Sequence, residues 1–207
     1  MKPDEGELGF PVSRETTEKL RSFVDLLLRW NRRVNLVSTR SAEEVWQRHI
    51  VDSLQLLPLL PETASNALVD IGSGAGFPGM VLAVATGRGV DLVEADKRKA
   101  AFLVETAARL DLRGVRVHAK RIEDTKLPRT ELLTARALAP LPVLLHHARA
   151  LLAPGGTALF PKGRTAEEEL TAASRDWIMR VERFQSRTDP ASTILRISEI
   201  RPVGSEA

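Results

Sequence analysis

The spacing of apolar positions divides the chain into an N-terminal helical part and a longer part in which strands and helices alternate. Apolar residues recur at helical spacing over residues 15–30, which predicts a first helix. Ser41 and Glu44 form a capping-box pattern that opens a second helix, and Pro58 ends it. Residues 1–12 contain several prolines and glycines, so they predict a loose lead-in.

Beyond these helices, short apolar runs alternate with amphipathic stretches. The predicted strands lie at residues 67–71, 90–94, 115–119, 131–135 and 156–160. The predicted helices lie at residues 78–86, 97–110, 141–152 and 166–175. Strands that alternate with helices form a parallel sheet through right-handed crossovers, so we expect an α/β fold.

The C-terminal tail departs from this alternation. Residues 177–185 and 192–200 predict two strands joined by a short connection that contains Pro190, and a short connection favours an antiparallel pair. A mostly parallel seven-stranded sheet with an antiparallel C-terminal strand resembles the Rossmann-like fold of class I S-adenosylmethionine-dependent methyltransferases. We therefore expect an N-terminal helical extension over residues 1–60, packed on a methyltransferase core over residues 61–207.

A glycine-rich segment follows the first predicted strand. It reads Asp70-Ile71-Gly72-Ser73-Gly74-Ala75-Gly76-Phe77-Pro78-Gly79. Glycines let the backbone turn tightly against a ligand, and the following helix start offers free amides. The glycine spacing differs from the G-x-G-x-x-G pattern of nicotinamide sites. An acid before G-x-G-x-G resembles the first motif of S-adenosylmethionine-dependent methyltransferases, because a carboxylate suits a ligand with a sulfonium and an amino group. Asp70, Gly72 and Gly74 are therefore predicted cofactor-binding residues.

Further candidate contacts follow the later strands. Glu94 ends the second strand, where a carboxylate can accept both ribose hydroxyls, and Asp96 already takes the N-cap position of the next helix. Ile122 follows the third strand and offers an apolar face to an adenine. Arg136 follows the fourth strand and can hold a guanine edge or a phosphate. A solvated loop around Ile122 and a surface salt bridge of Arg136 are the alternative interpretations.

The residues that are absent narrow the chemistry. The chain has no cysteine, which excludes disulfides, cysteine-based metal sites and a cysteine nucleophile. None of the four histidines is spaced with carboxylates as a metal pair, so we predict no metal site. The segment 134–137 lacks the Asn/Asp-Pro-Pro-Tyr/Phe motif of many amino-methylating enzymes. The acceptor should therefore already be nucleophilic, as a guanine N7 is, or a hydroxyl or carboxylate served by another base.

Charge and hydropathy bear on partners and location. No apolar run approaches the ~20 residues that span a bilayer, and residues 1–10 lack a signal-peptide core. The net charge is +3. Basic residues nevertheless cluster, which is typical of an RNA phosphate footprint or, alternatively, of solvated helix faces. The set that we assign to substrate RNA is Arg32, Arg33, Arg48, Lys99, Arg136 and Lys162.

Several motifs occur together in one order along the chain. They are Trp30-Asn31-x-x-x-Asn35-Leu36, Arg48-His49-Ile50-x-Asp52-Ser53, the glycine-rich segment, Arg121-Ile122-Glu123, Arg136-Ala137 and Lys162-Gly163. Over roughly residues 15 to 200 the chain resembles the glucose-inhibited division protein B family, also called ribosomal RNA small subunit methyltransferase G. The resemblance implies methyl transfer from S-adenosylmethionine to N7 of one guanine in 16S rRNA of the small ribosomal subunit, in the cytoplasm.

The resemblance also implies particular contacts. Carried onto this chain, the cofactor contacts of the family fall at Gly72, Phe77, Glu94, Ala95, Ile122, Glu123 and Arg136. Phe77 stands where many members have leucine and keeps an apolar contact. Guanine N7 attacks through its own lone pair, so we assign no catalytic residue, and we expect a monomer. The alternatives are a methyltransferase for a small molecule or a protein, a nucleotide-binding oxidoreductase, and a non-catalytic RNA-binding module.

Overall fold

The computed structural model describes residues 10, 12–38, 42–61 and 68–205. Its helices are α1 (Arg14–Asn31), α2 (Ala42–Val45), α3 (Asp52–Leu54), α4 (Gly79–Thr86), α5 (Lys97–Arg109), α6 (Leu141–Leu151) and α7 (Ala166–Ala173). Its strands are β1 (Leu68–Ile71), β2 (Val90–Val93), β3 (Val115–His118), β4 (Thr130–Thr134), β5 (Leu152–Lys162), β6 (Trp177–Gln185) and β7 (Thr193–Pro202). Shorter segments are a π-helical turn, Trp46–Val51, and the 3-10 turns Leu57–Leu59 and Ile122–Asp124. None of the described helices is long and apolar enough to cross a bilayer.

The strands form one seven-stranded sheet in the order β3-β2-β1-β4-β5-β7-β6. The pairs that join β1 to β5 are parallel, whereas β7 runs antiparallel to both β5 and β6. This confirms the predicted fold class, including the antiparallel C-terminal strand. Strand order reverses between β1 and β4, and in open α/β sheets ligands bind above the carboxyl ends of the strands at such a point.

Each face of the sheet carries its own apolar core. On one face α1, α4 and α5 bury side chains such as Phe23, Met80 and Phe102. On the other face α6 and α7 bury Leu145 and Leu170. Removing one such side chain from water stabilises the fold by about 1.5–3 kcal/mol. Both faces of β1 and β2 are covered, which explains why these strands are buried along their whole length, whereas the edge strand β3 alternates apolar and polar residues.

Helix α1 is capped at its first turn and bonded to α5 near its last turn. The Ser13 hydroxyl accepts a hydrogen bond from the Thr16 amide at 3.1 Å and caps the helix. Near the other end, the Trp30 indole donates to Glu105 of α5 at 3.2 Å. Between them, the Phe23 ring centroid lies 5.4 Å from that of Phe77 in the glycine-rich segment. Helix α1 therefore supports the back of that segment.

The predicted second helix is present as one helical run over residues 42–54, but it is not a regular α-helix and it ends before Pro58. The chain forms α2, then the π-helical turn Trp46–Val51, then the short α3, and Pro58 lies within a 3-10 turn. The Ser53 hydroxyl donates to the His49 carbonyl at 2.7 Å across this irregular part. A π-helical turn widens the backbone spiral and is frequent at functional sites. Ser41, the predicted cap, and residue 67 of the first predicted strand lie outside the described residues.

The end of the N-terminal lead-in is packed and not loose. Phe10 and Val12 are buried. The Arg187 guanidinium lies 4.4 Å from the centroid of the Phe10 ring, which is a cation–π contact with the connection between β6 and β7. This part of the expectation was therefore wrong, while residues 1–9 and 11 lie outside the described part of the chain.

Candidate functional site

A cleft of about 730 Å³ opens where the strand order reverses. It is bordered by the glycine-rich segment, the residues after β2, β3 and β4, and the segment that follows α1. All the predicted cofactor contacts except Asp70 line it, namely Gly72, Gly74, Phe77, Glu94, Ala95, Ile122, Glu123 and Arg136. The structure thus brings together residues that are far apart in the sequence.

The glycine-rich segment needs glycine for two separate reasons. Gly72 has φ +65° and Gly76 has φ +91°, a region that other residues rarely adopt. A Cβ at Gly72 would lie 2.5 Å from the Leu138 side chain, and one at Gly76 would lie 2.9 Å from the Met80 Cβ. The segment therefore follows a left-handed path and is packed closely on both sides, which sequence spacing alone did not reveal.

Glu94 joins the glycine-rich segment to the start of α5. One carboxylate oxygen accepts from the Gly74 amide and the other from the Asp96 amide, both at 2.7 Å. The side chain of Asp96 accepts from the Arg98 and Lys99 amides, so it caps the helix as predicted. Glu94 is only 9% exposed and lines the cleft. It presents a fixed carboxylate with unused lone pairs to whatever occupies the cleft.

Asp70, in contrast, lies behind the cleft wall. It is fully buried, and Oδ1 accepts a hydrogen bond from the Thr134 hydroxyl at 2.6 Å. Burial raises the pKa of Asp70 to about 6, although hydrogen bonds from Thr134 and Ser73 favour the ionised form. The predicted direct contact with a cofactor therefore does not fit this position, because the carboxyl group joins β1 to β4 below the glycine-rich segment.

Arg136 is held in a compact group on the other side of the cleft. Its guanidinium donates to Asp52 Oδ2 at 3.0 Å and to His49 Nδ1 at 3.1 Å. It also lies 5.1 Å from the centroid of the Phe77 ring, on which the His49 ring stacks at 4.9 Å. Burial lowers the pKa of His49 to about 4, with a further contribution from Arg136. The imidazole is therefore neutral, with its hydrogen on Nε2 because Nδ1 accepts.

The predicted RNA-binding residues fall into three environments. Arg32, Arg33 and Arg48 are exposed, and Lys99 lines the cleft. The other two cations are enclosed in ion pairs: Arg136 with Asp52 at 3.0 Å, and Lys162 with Glu169 at 2.7 Å. Carboxylates neutralise their charges, which disfavours a contact with an RNA phosphate, and the assignment of both residues to substrate RNA stays a prediction.

A second cleft of about 380 Å³ adjoins the first. The two share a wall formed by Arg136, Ala137, Leu138 and Ala139. Polar side chains from distant parts of the chain line the second cleft, including Asp52, Gln55, Lys162, Glu169 and Ser186. Sequence analysis had noted Asp52 only within a motif and had missed Glu169. Asp52 lies 84 residues from its partner Arg136, and Glu169 lies 7 residues from its partner Lys162. Only the shorter spacing could have been noticed in the sequence. Within the described residues no group of three or more histidines and carboxylates could hold a metal ion.

Solved structures with the same architecture include methyltransferases. An O-methyltransferase of Bacillus cereus in complex with SAH superposes with a TM-score of 0.59 at 15% identity, covering 86% of this chain and 91% of that one. A SAM-dependent methyltransferase of Aquifex aeolicus gives 0.58 at 14% identity, over 74% and 92%. The sheet order and the glycine-rich segment therefore define the class I methyltransferase fold.

Sequence comparison identifies the family within that class. The family model of rRNA small subunit methyltransferase G matches residues 16–192. The ribosomal RNA small subunit methyltransferase G of Granulibacter bethesdensis is 58% identical over 94% of this chain and 91% of that protein, and that of Rhodospirillum centenum is 51% identical over 97% and 92%. The chain belongs to the rRNA small subunit methyltransferase G family, as the motif resemblance predicted.

Proposed function

We propose that this chain transfers a methyl group from S-adenosylmethionine to N7 of a guanine in 16S rRNA. The observation that carries the proposal is the pair of clefts in a member of this family. The first cleft holds the Glu94 carboxylate and the glycine-rich segment, and one shared wall separates it from the second, polar cleft. Family membership disfavours the oxidoreductase alternative, and so does the glycine spacing.

The residues of the first cleft fit this cofactor. Glu94 offers a carboxylate to ribose hydroxyls, and Ala95 and Ile122 offer small and apolar surface to the adenine. His49 Nε2 is buried and has no hydrogen-bond partner among the described residues, so it can donate to an acceptor such as the cofactor carboxylate. Bound in this cleft, S-adenosylmethionine supplies an electrophilic methyl group on a positively charged sulfur.

The protein contributes binding and orientation, without proton transfer. Guanine N7 has its own lone pair, so no general base is needed, and we assign none. Holding two reactants in line can lower a barrier by about 7–11 kcal/mol. The wall from Arg136 to Ala139 fits this task, since the ion pair with Asp52 and the contact of Leu138 with Gly72 fix it from both sides.

The proposal extends to the partner and the place of action. Exposed Arg32, Arg33 and Arg48, with Lys99 at the cleft, would contact RNA phosphates of the small ribosomal subunit. The site of action would be the cytoplasm, where small subunits are assembled.

The test uses small ribosomal subunits from a strain that lacks this enzyme. They are incubated with the protein and labelled S-adenosylmethionine, and the RNA is then cleaved by reduction and aniline treatment, which cuts at N7-methylguanine. One new cut that needs both enzyme and cofactor is expected. Labelled RNA without a cut would refute the N7 assignment, and absence of label in the RNA would refute the rRNA substrate.

A further inference from the structure

The ion pair between Lys162 and Glu169 lies in the second cleft and has no role in the mechanism above. Lys162 ends β5 and Glu169 belongs to α7, and their side chains are only 9% and 21% exposed. Lys162 also donates to the Ala139 carbonyl at 2.9 Å, and Glu169 accepts from the Leu141 amide at 2.6 Å. The pair is therefore fixed against the wall that the two clefts share.

Both members of the pair retain hydrogen-bonding capacity. An ammonium group has three donors, and two of those of Lys162 are used, by Ala139 and Glu169. Glu169 Oε1 accepts from the Thr165 hydroxyl at 3.0 Å and has room for another donor. Burial alone would raise the pKa of Glu169, but hydrogen bonds from Lys162 and the Leu141 amide lower it, so the carboxylate is ionised at neutral pH. The pair thus presents one donor beside one acceptor.

We propose that Lys162 and Glu169 recognise the acceptor base in the second cleft, with Lys162 donating to guanine O6 and Glu169 accepting from guanine N1–H. This rests on the proposed function. Guanine places an acceptor beside a donor on this edge, whereas adenine places them in the opposite order. An adenine would leave the enclosed polar groups of the pair unpaired, which is how a hydrogen-bonding site rejects the wrong substrate.

The surroundings favour a base over a phosphate at this position. A phosphate beside Lys162 would also approach the Glu169 carboxylate, which is 2.7 Å from the ammonium, and would be repelled by it. A cleft of about 380 Å³ with apolar surface from Pro140, Pro161 and Ile194 suits a flat ring. On guanine, N7 neighbours O6, so a base held through O6 beside Ala139 has N7 next to the shared wall, toward the cofactor cleft.

The experiment compares small subunits that carry either guanine or adenine at the modified position. Binding of each subunit to the enzyme is measured with S-adenosylhomocysteine present, so that no turnover occurs. The native enzyme is expected to bind the guanine subunit roughly 10- to 100-fold more tightly, a range typical of one well-formed base contact. Lys162→Met and Glu169→Gln should reduce this preference to less than threefold while cofactor affinity changes by less than twofold.

Two further variants make the result decisive. Glu168→Gln changes the exposed neighbour on the same helix and should keep the full preference. A double variant, Lys162→Met with Glu169→Met, removes both charges together and leaves no enclosed charge unpaired. It replaces the single variants in the experiment if one of them fails to fold. A native enzyme without guanine preference, or variants that keep it, would overturn the inference. If the native enzyme labels no guanine in the rRNA, the proposed function itself is refuted, independently of this comparison.

Discussion

At the scale of single residues, Glu94 makes the most specific prediction about cofactor binding. Its two oxygens hold the amides of Gly74 and Asp96 while the carboxylate faces the cleft. Replacing it by alanine removes charged hydrogen bonds, each worth about 1.5–3 kcal/mol, so we expect Glu94→Ala to weaken S-adenosylmethionine binding roughly 10- to 100-fold. Calorimetric titration measures this directly.

Glu123 provides the matched control. It also lines the cleft and was predicted as a cofactor contact, but its side chain is 65% exposed. Glu123→Ala should therefore change cofactor affinity by less than threefold. Equal losses in the two variants would mean that Glu94 has no special role in the cleft.

Asp70 predicts a dependence of stability on pH. The folded-state pKa of about 6 lies above the ordinary value of 3.8, so this group stabilises the protein most below 3.8, and that contribution is lost as pH rises through 6. Between pH 5 and pH 8 the loss is roughly 1–2 kcal/mol. Asp70→Asn cannot ionise and keeps an oxygen for Thr134. The variant should thus gain roughly 1–2 kcal/mol relative to the native protein over this interval.

Urea unfolding of both proteins at pH 5 and pH 8 checks this expectation. Other titrating groups cancel in the difference between the native protein and the variant. A difference in unfolding free energy that is the same at both pH values would show that Asp70 keeps an ordinary pKa despite its burial.

At the scale of elements, α1 belongs to the support of the site. Its Phe23 ring is fully buried and lies between Phe77 and Phe102, at centroid distances of 5.4 and 6.1 Å. Phe23→Ala should destabilise the protein by about 3–5 kcal/mol through the cavity it leaves. Cofactor affinity should fall as well, because Phe77 loses the surface behind it.

The exposed Val104 of α5 is the control for this change. It is 55% exposed, so Val104→Ala should alter the unfolding free energy by no more than about 0.5 kcal/mol. Thermal unfolding, followed by titration with S-adenosylmethionine, measures both quantities. A Phe23→Ala protein with native cofactor affinity would separate α1 from the site.

Local signals explain why most elements were predictable and one was not. The strands and helices after residue 68 follow from apolar runs, glycines and caps such as Asp96, which act within a few residues. The π-helical turn Trp46–Val51 inside the second helix was not predictable, because its residues have partners far away in the sequence: Arg136, for example, bonds to His49 across 87 residues. No periodicity in the local sequence reports such a contact.

At the scale of the whole molecule, the site too combines features set by the local sequence with contacts between distant residues. The cofactor side was predictable, since Gly72 and Glu94 follow strands whose carboxyl ends meet at one edge. The partner of Arg136 was not, because its charge is neutralised by Asp52, 84 residues earlier. Sequence analysis therefore identified Arg136 and Lys162 as basic residues for substrate RNA but did not reveal that each is paired with a carboxylate.

Asp52 also links the beginning and the end of the chain. One oxygen pairs with Arg136 after β4, and the other accepts from Thr188, 136 residues further on, at 2.7 Å. A nascent chain that has just released β4 from the ribosome has the whole glycine-rich segment but lacks this last support. The second cleft is therefore complete only when the C-terminal hairpin is in place, since Ser186 and Ile194 from that hairpin also line it.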